Sequence, residues 1–169
     1  MKVFGIAGWS NSGKTTLIER LLPLLAARGL RVSIVKHAHQ KFDIDRPGKD
    51  SFRFREAGSH EVLISSPARW ALMREHHGAD EPALPELLTH LSDCDLVLVE
   101  GFKREAIPKL EVHRSALGKP LLFPDDPHIV AIASDVPIET ALPRFHVDDI
   151  ENIVSCVIAY LEPIEARRC

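Results

Sequence analysis

The chain has 169 residues, 45% hydrophobic and 27% charged, enough for one domain over residues 1–169 that needs neither a disulfide framework nor a structural metal. The net charge of −3, with no run of basic residues, argues against a nucleic-acid partner. Cys94, Cys156 and Cys169 form no CxxC pair and fit a reducing, cytoplasmic setting, and no apolar run reaches membrane-spanning length, so neither a span nor a signal peptide is expected.

Residues 2–8, KVFGIAG, are an apolar run ending in glycine, and Leu17, Leu21, Leu24 and Leu25 follow at helical spacing. A buried strand, a tight loop and a helix are expected in that order. Pro23 removes a backbone donor inside this helix, which predicts a bend, and Gly29 ends it. RVSIVK (31–36) predicts a second buried strand, and the polar stretch from His37 to Ser51 is longer than a bare connection needs. Next come a short helix closed by Gly58, a hairpin from EVLISS and RWALMR, a helical segment over 83–92, and an apolar strand, DLVLVEG (95–101). KLEVHR, IVAIASD and FHV read as further strands. A last helix over roughly 149–161 carries Ile150, Ile153, Val154, Val157, Ile158 and Leu161 on one stripe. Strands separated by helices predict an α/β fold: a mostly parallel sheet with helices on both faces and a small edge hairpin.

Gly8-Trp9-Ser10-Asn11-Ser12-Gly13-Lys14-Thr15 fits the pattern G-x-x-x-x-G-K-[ST] at every fixed position, and Thr16 follows it. Glycines let successive backbone N–H groups point at a phosphate, and the helix that starts near Lys14 adds free donors and the positive end of its dipole. Lys14 would meet the outer phosphates, and Thr15 would offer its hydroxyl to Mg²⁺. Such a site needs an acid for the metal or its water. Glu100, at the carboxyl end of an apolar strand, is the candidate for that metal-binding or catalytic role, because open α/β sheets bind ligands at that edge.

The 37–51 loop should reach the same edge. Asp43 and Asp45 could approach Mg²⁺ through water, and Lys49, Asp50 and Ser51 could form a second anion site at a helix start; the alternative is a solvated acidic loop. His37 and His39 lack the i, i+4 spacing of a helical metal pair and read as polar loop residues, while Gln40, the one glutamine, could orient a water. At Ser134-Asp135 a carboxylate suits the two adjacent donors on guanine's pairing edge; these residues could equally begin a turn before Pro137.

Several motifs occur together in order: the cradle, Lys36-His37, Phe42-Asp43-Ile44-Asp45 with Pro47-Gly48-Lys49-Asp50-Ser51, Arg69-Trp70-Ala71-Leu72-Met73, Glu100-Gly101-Phe102-Lys103 and Ala133-Ser134-Asp135-Val136-Pro137. Over nearly its whole length the chain thereby resembles the molybdopterin-guanine dinucleotide biosynthesis protein B (MobB) family. The resemblance implies a P-loop NTPase-like fold and an adapter that binds GTP with Mg²⁺, hydrolyses it weakly and forms a homodimer. It also implies work alongside the molybdenum cofactor guanylyltransferase and with molybdopterin-binding proteins, and it favours Asp135 as the reader of guanine. Trp9 departs from related dimeric ATPases, which carry a lysine there, so hydrolysis is expected at roughly 10⁻² per second or slower. The competing readings are a P-loop small-molecule kinase, for which no separate arginine-bearing lid is visible, and a binder of pterin phosphate.

Overall fold

The computed structural model describes residues 1–38 and 42–161; His39 and Gln40 lie outside them. The chain divides into two compact units, one of residues 1–37 and 84 onward, the other Ala38–Ala83.

In the first unit, β1 (Lys2–Ala7), α1 (Lys14–Ala27), β2 (Val32–Lys36), β5 (Leu96–Glu100), β6 (Lys109–His113), β7 (Ile129–Ser134) and β8 (Arg144–His146) follow the expected alternation, with α3 (Leu84–Thr89) and α4 (Ile150–Ala159). The six strands form one sheet in the order β2-β5-β1-β6-β7-β8, and every neighbouring pair is parallel. All strand ends that follow an apolar run therefore emerge at one edge, which brings Ala7, Lys36 and Glu100 together. Lys36 pairs in register with Glu100, and Glu100 with Ile6.

The sheet has two unlike faces. On one, Phe4, Ile6, Leu98, Leu110 and Val112 pack against Leu17, Ile18, Leu21 and Leu25 of α1 and Ile153, Val154 and Val157 of α4. Burying each such side chain stabilises the fold by about 1.5–3 kcal/mol. The other face carries a smaller apolar cluster of Leu84, Cys94, Val97 and Val99. At β6, that same face buries the charged residues Lys109 and Glu111, which are 2% and 0% exposed.

Helix α1 runs unbroken through Pro23. Pro23 and Glu19 are both exposed, so water can take the place of the amide that the Glu19 carbonyl lacks. Helix α3 is shorter than the 83–92 pattern suggests. Its end tightens into i→i−3 bonds from the amides of His90 and Leu91 to the carbonyls of Leu87 and Leu88.

The second unit holds α2 (Asp50–Glu56) and a hairpin of β3 (Glu61–Ser65) and β4 (Trp70–Arg74). Val62 opposes Met73 on its buried side, while Leu63, Leu72 and Trp70 remain exposed. Arg55 organises the unit: its guanidinium lies 2.9 Å from Asp43, 2.7 Å from Glu75 and 3.5 Å from Asp45, and the bonds to Glu75 and Asp43 raise its pKa further.

Candidate functional site

The loop between β1 and α1 has the backbone that a phosphate cradle needs. Gly8, Asn11 and Gly13 have φ of 144°, 65° and 94°. A Cβ at Gly8 would stand 2.5 Å from the Val112 carbonyl oxygen and 2.6 Å from Ser12 Oγ, so no other residue fits there. Gly13 caps α1 without any side-chain partner, which leaves the first amides of that helix facing the loop.

The side chains fit a bound anion and its metal. Ser12 is 1% exposed, and its hydroxyl has no hydrogen-bond partner among the described residues. Lys14 Nζ donates to the Trp9 carbonyl at 2.7 Å, a contact a phosphate oxygen would better. Burial pushes the Lys14 ammonium below the usual lysine range; Glu100 opposes this, and the nearby charges of Lys103 and Lys36 add to it. Thr15 Oγ1 donates to Glu100 at 3.0 and 3.2 Å. Glu100 is 8% exposed, and its carboxylate lies 3.5 Å from Lys36 Nζ, which is 3.4 Å from Thr15 Oγ1. A hydroxyl and a buried carboxylate in contact are oxygen donors of the kind Mg²⁺ takes, and Thr15 and Glu100 are the residues that would hold it.

Two loops flank Trp9. Its indole donates to the Pro120 carbonyl at 2.7 Å, while the ammonium groups of Lys103 and Lys119 lie 4.5 and 5.8 Å from its ring centroid. Arg114 reaches the Ser12 carbonyl at 3.4 Å.

Asp135 borders a hollow of about 330 Å³ with Ser134, Pro137, Arg144 and His146 in its wall, a volume at the small end for ligand pockets. Its carboxylate accepts from the Ser115 amide at 2.9 Å and the Ser115 hydroxyl at 3.3 Å, and the amide bond is the main reason its pKa is lowered. Ser134 is buried and accepts the Val136 amide at 3.1 Å. Ser134 shapes the turn, and Ser115 holds the Asp135 carboxylate.

The remaining expected residues lie in the second unit and are engaged there. Asp43 accepts the Asp45 amide and the Arg55 guanidinium at 2.9 Å each, which lowers its pKa and ties it into an ion pair. The Ser51 hydroxyl donates to Asp45, and Asp50 pairs with Arg53. Lys49 precedes α2, whose first acid and hydroxyl are engaged with Arg53 and Asp45.

Sequence reading assigned no role to Lys36, Lys103, Arg114 and Ser115. Lys36 had a visible signal, since VSIVK ends in lysine as LVLVE ends in glutamate, and parallel pairing sets the two strand ends side by side. The contacts of Arg114 and Ser115 depend on packing between distant segments.

A parallel sheet whose first strand delivers this loop to a helix, with a lysine, a threonine and a strand-end acid around it, defines a P-loop-type nucleotide-binding protein. Residues 3–135 match the family described as Molybdopterin guanine dinucleotide synthesis protein B, and the chain belongs to that family. It is 39% identical over 163 residues to the molybdopterin-guanine dinucleotide biosynthesis adapter protein of Escherichia coli, covering 95% of this chain and 93% of the relative. It is 41% identical over 169 residues to the Haemophilus influenzae protein of the same name, covering 98% and 93%. Among solved structures, the crystal structure of molybdopterin-guanine biosynthesis protein B (mobB) superposes with a TM-score of 0.73 at 32% identity, covering 94% of this chain and 98% of the other.

Proposed function

We infer that this chain acts as an adapter in molybdopterin-guanine dinucleotide biosynthesis, binding GTP with Mg²⁺ and working with the guanylyltransferase that attaches GMP to the cofactor. The contact of Thr15 with Glu100, beside the left-handed cradle and Lys14, carries the reading. In it, backbone amides of 8–15 would hold the β-phosphate, Lys14 would meet the outer phosphates, and Thr15 and Glu100 would hold the metal. When bound, Mg²⁺ would neutralise phosphate charge. Asp135, oriented by Ser115, accepts from guanine. Arg114 stands beside the cradle and is bound to the Ser12 carbonyl, which supports slow hydrolysis and a binding role.

The exposed hairpin side chains Leu63, Trp70 and Leu72 support association with a second copy. The unpaired thiols Cys94 and Cys156 suit a cytoplasmic setting. The test is reconstitution: guanylyltransferase, molybdopterin and GTP, with this protein or its Lys14→Ala variant. Dinucleotide formation should rise with the wild type and fall back with the variant. Equal stimulation by both would refute a nucleotide-dependent adapter.

A further inference from the structure

We propose that Lys103 is a second phosphate-binding lysine of the cradle, docked on the Trp9 ring here and moving to the terminal phosphate when a nucleoside triphosphate binds. The proposal rests on the nucleotide-binding reading above and adds to it a residue that tells triphosphate from diphosphate.

Three observations support it. First, Lys14 and Lys103 are both held by Trp9, a residue of the cradle itself: Lys14 Nζ lies 2.7 Å from its carbonyl oxygen, and Lys103 Nζ lies 4.5 Å from its ring centroid. A carbonyl and a π face are weak partners for an ammonium, the second worth about 0.5–1 kcal/mol at an exposed site, whereas a phosphate oxygen gives a charge-assisted bond. Among the described residues the Lys103 ammonium makes no ion pair, while Lys36 is already paired with Glu100. The repulsion that Lys103 exerts on Lys14 agrees with two cations converging on one place.

Second, the backbone that carries Lys103 is held firmly. The buried Lys109 ammonium donates to the Lys103 carbonyl at 2.9 Å and the Glu105 carbonyl at 2.7 Å, and it pairs with Asp126 at 2.7 Å. Gly5 makes room for this side chain, since a Cβ there would stand 2.4 Å from Lys109 Cγ. The loop begins at Glu100 and Gly101, so β5 delivers its acid to Thr15 and, three residues on, its lysine to Trp9. Third, the ring is fixed as well, because the indole is tied to the Pro120 carbonyl. A fixed dock and a fixed base leave one long side chain to move, which suits a group that changes partner with the ligand.

The experiment measures dissociation constants of GTPγS, GDP, ATPγS and ADP with Mg²⁺, using both base pairs so that base preference does not decide the result. The full-length proteins are wild type, Lys103→Gln, Lys103→Arg, Lys119→Gln and Lys14→Ala. Lys103→Gln should weaken triphosphate binding about tenfold and diphosphate binding less than about twofold. Lys103→Arg should recover most of the loss, and Lys119→Gln should have the smaller effect. In a Trp70→Phe background, Trp9 emission should change with triphosphate and hardly at all with diphosphate. An unaltered ratio in Lys103→Gln, with wild type binding both and Lys14→Ala weakened for both, overturns the role of Lys103 and leaves the cradle standing. A wild type that binds no nucleotide overturns both.

Discussion

The two faces of the six-stranded sheet are built from the same strands and solve different problems. Along β6, Leu110 and Val112 point into the apolar layer under α1 and α4, while Lys109 and Glu111 point the other way and are equally buried. The apolar side chains gain from burial without regard to direction. The charged ones tolerate burial because partners satisfy them: Lys109 through the carbonyls of Lys103 and Glu105 and the carboxylate of Asp126, and Glu111 through the amides of Leu122 and Phe123 at 2.8 and 2.9 Å. Burial raises the Glu111 pKa, and the two amides oppose that. Both charged residues hold the loops that meet around Trp9. One face supplies stability; the other sets where the loops lie.

Four substitutions probe this division, in order of expected size. Leu110→Ala should cost about 3 kcal/mol of stability in denaturant unfolding through lost burial and a cavity, while the folded fraction keeps its nucleotide affinities. A change in the triphosphate-to-diphosphate ratio would show that the apolar face also sets the loops. Lys14→Ala should weaken nucleotide binding by about 1.5–3 kcal/mol and leave unfolding unchanged.

The same lysine predicts a pH dependence. Its pKa in the free protein is lowered, and phosphate favours the ammonium form, so binding takes up protons and affinity falls as pH rises, beginning below the ordinary lysine range. Calorimetry from neutral to alkaline pH should show that fall in the wild type and lose it in Lys14→Ala. Lys109→Met keeps the volume but leaves two carbonyls without their donor and Asp126 without its cation, so it should cost at least about 1–3 kcal/mol. Unlike Leu110→Ala, it should narrow the triphosphate preference, and an unchanged ratio would reduce Lys109 to a packing residue. Asp135→Asn should have the smallest effect, a several-fold narrowing of the GTP-to-ATP ratio with little change in stability. An unchanged ratio would assign base reading to another residue.

The cradle, the parallel alternation and the strand-end acid were legible in the sequence because each rests on local rules: spacing of glycines, hydrophobic period, and an apolar run that stops at a charge. Pro23 lies inside α1 without ending it, at a point where Glu19 and Pro23 are both exposed. KLEVH was readable as a strand but not as one with buried charges, since alternation of charged and apolar residues normally marks a face in solvent. Lys109 lies over Gly5 of a neighbouring strand, with its ammonium between the Lys103 and Glu105 carbonyls and Asp126. The engagement of Asp43 by Arg55 and of Asp135 by Ser115 likewise depends on residues 12 and 20 positions away. Chemistry at a single strand end was visible; pairing between distant segments was not.

The most direct test of the central claim is calorimetric titration of the purified protein with GTP, ATP and GDP, with and without Mg²⁺. The structure predicts GTP bound clearly ahead of ATP, with Mg²⁺ strengthening the triphosphate. Equal affinities would remove Asp135 as the guanine reader, and no binding of any nucleotide would contradict the assignment of the 8–15 loop as a phosphate cradle.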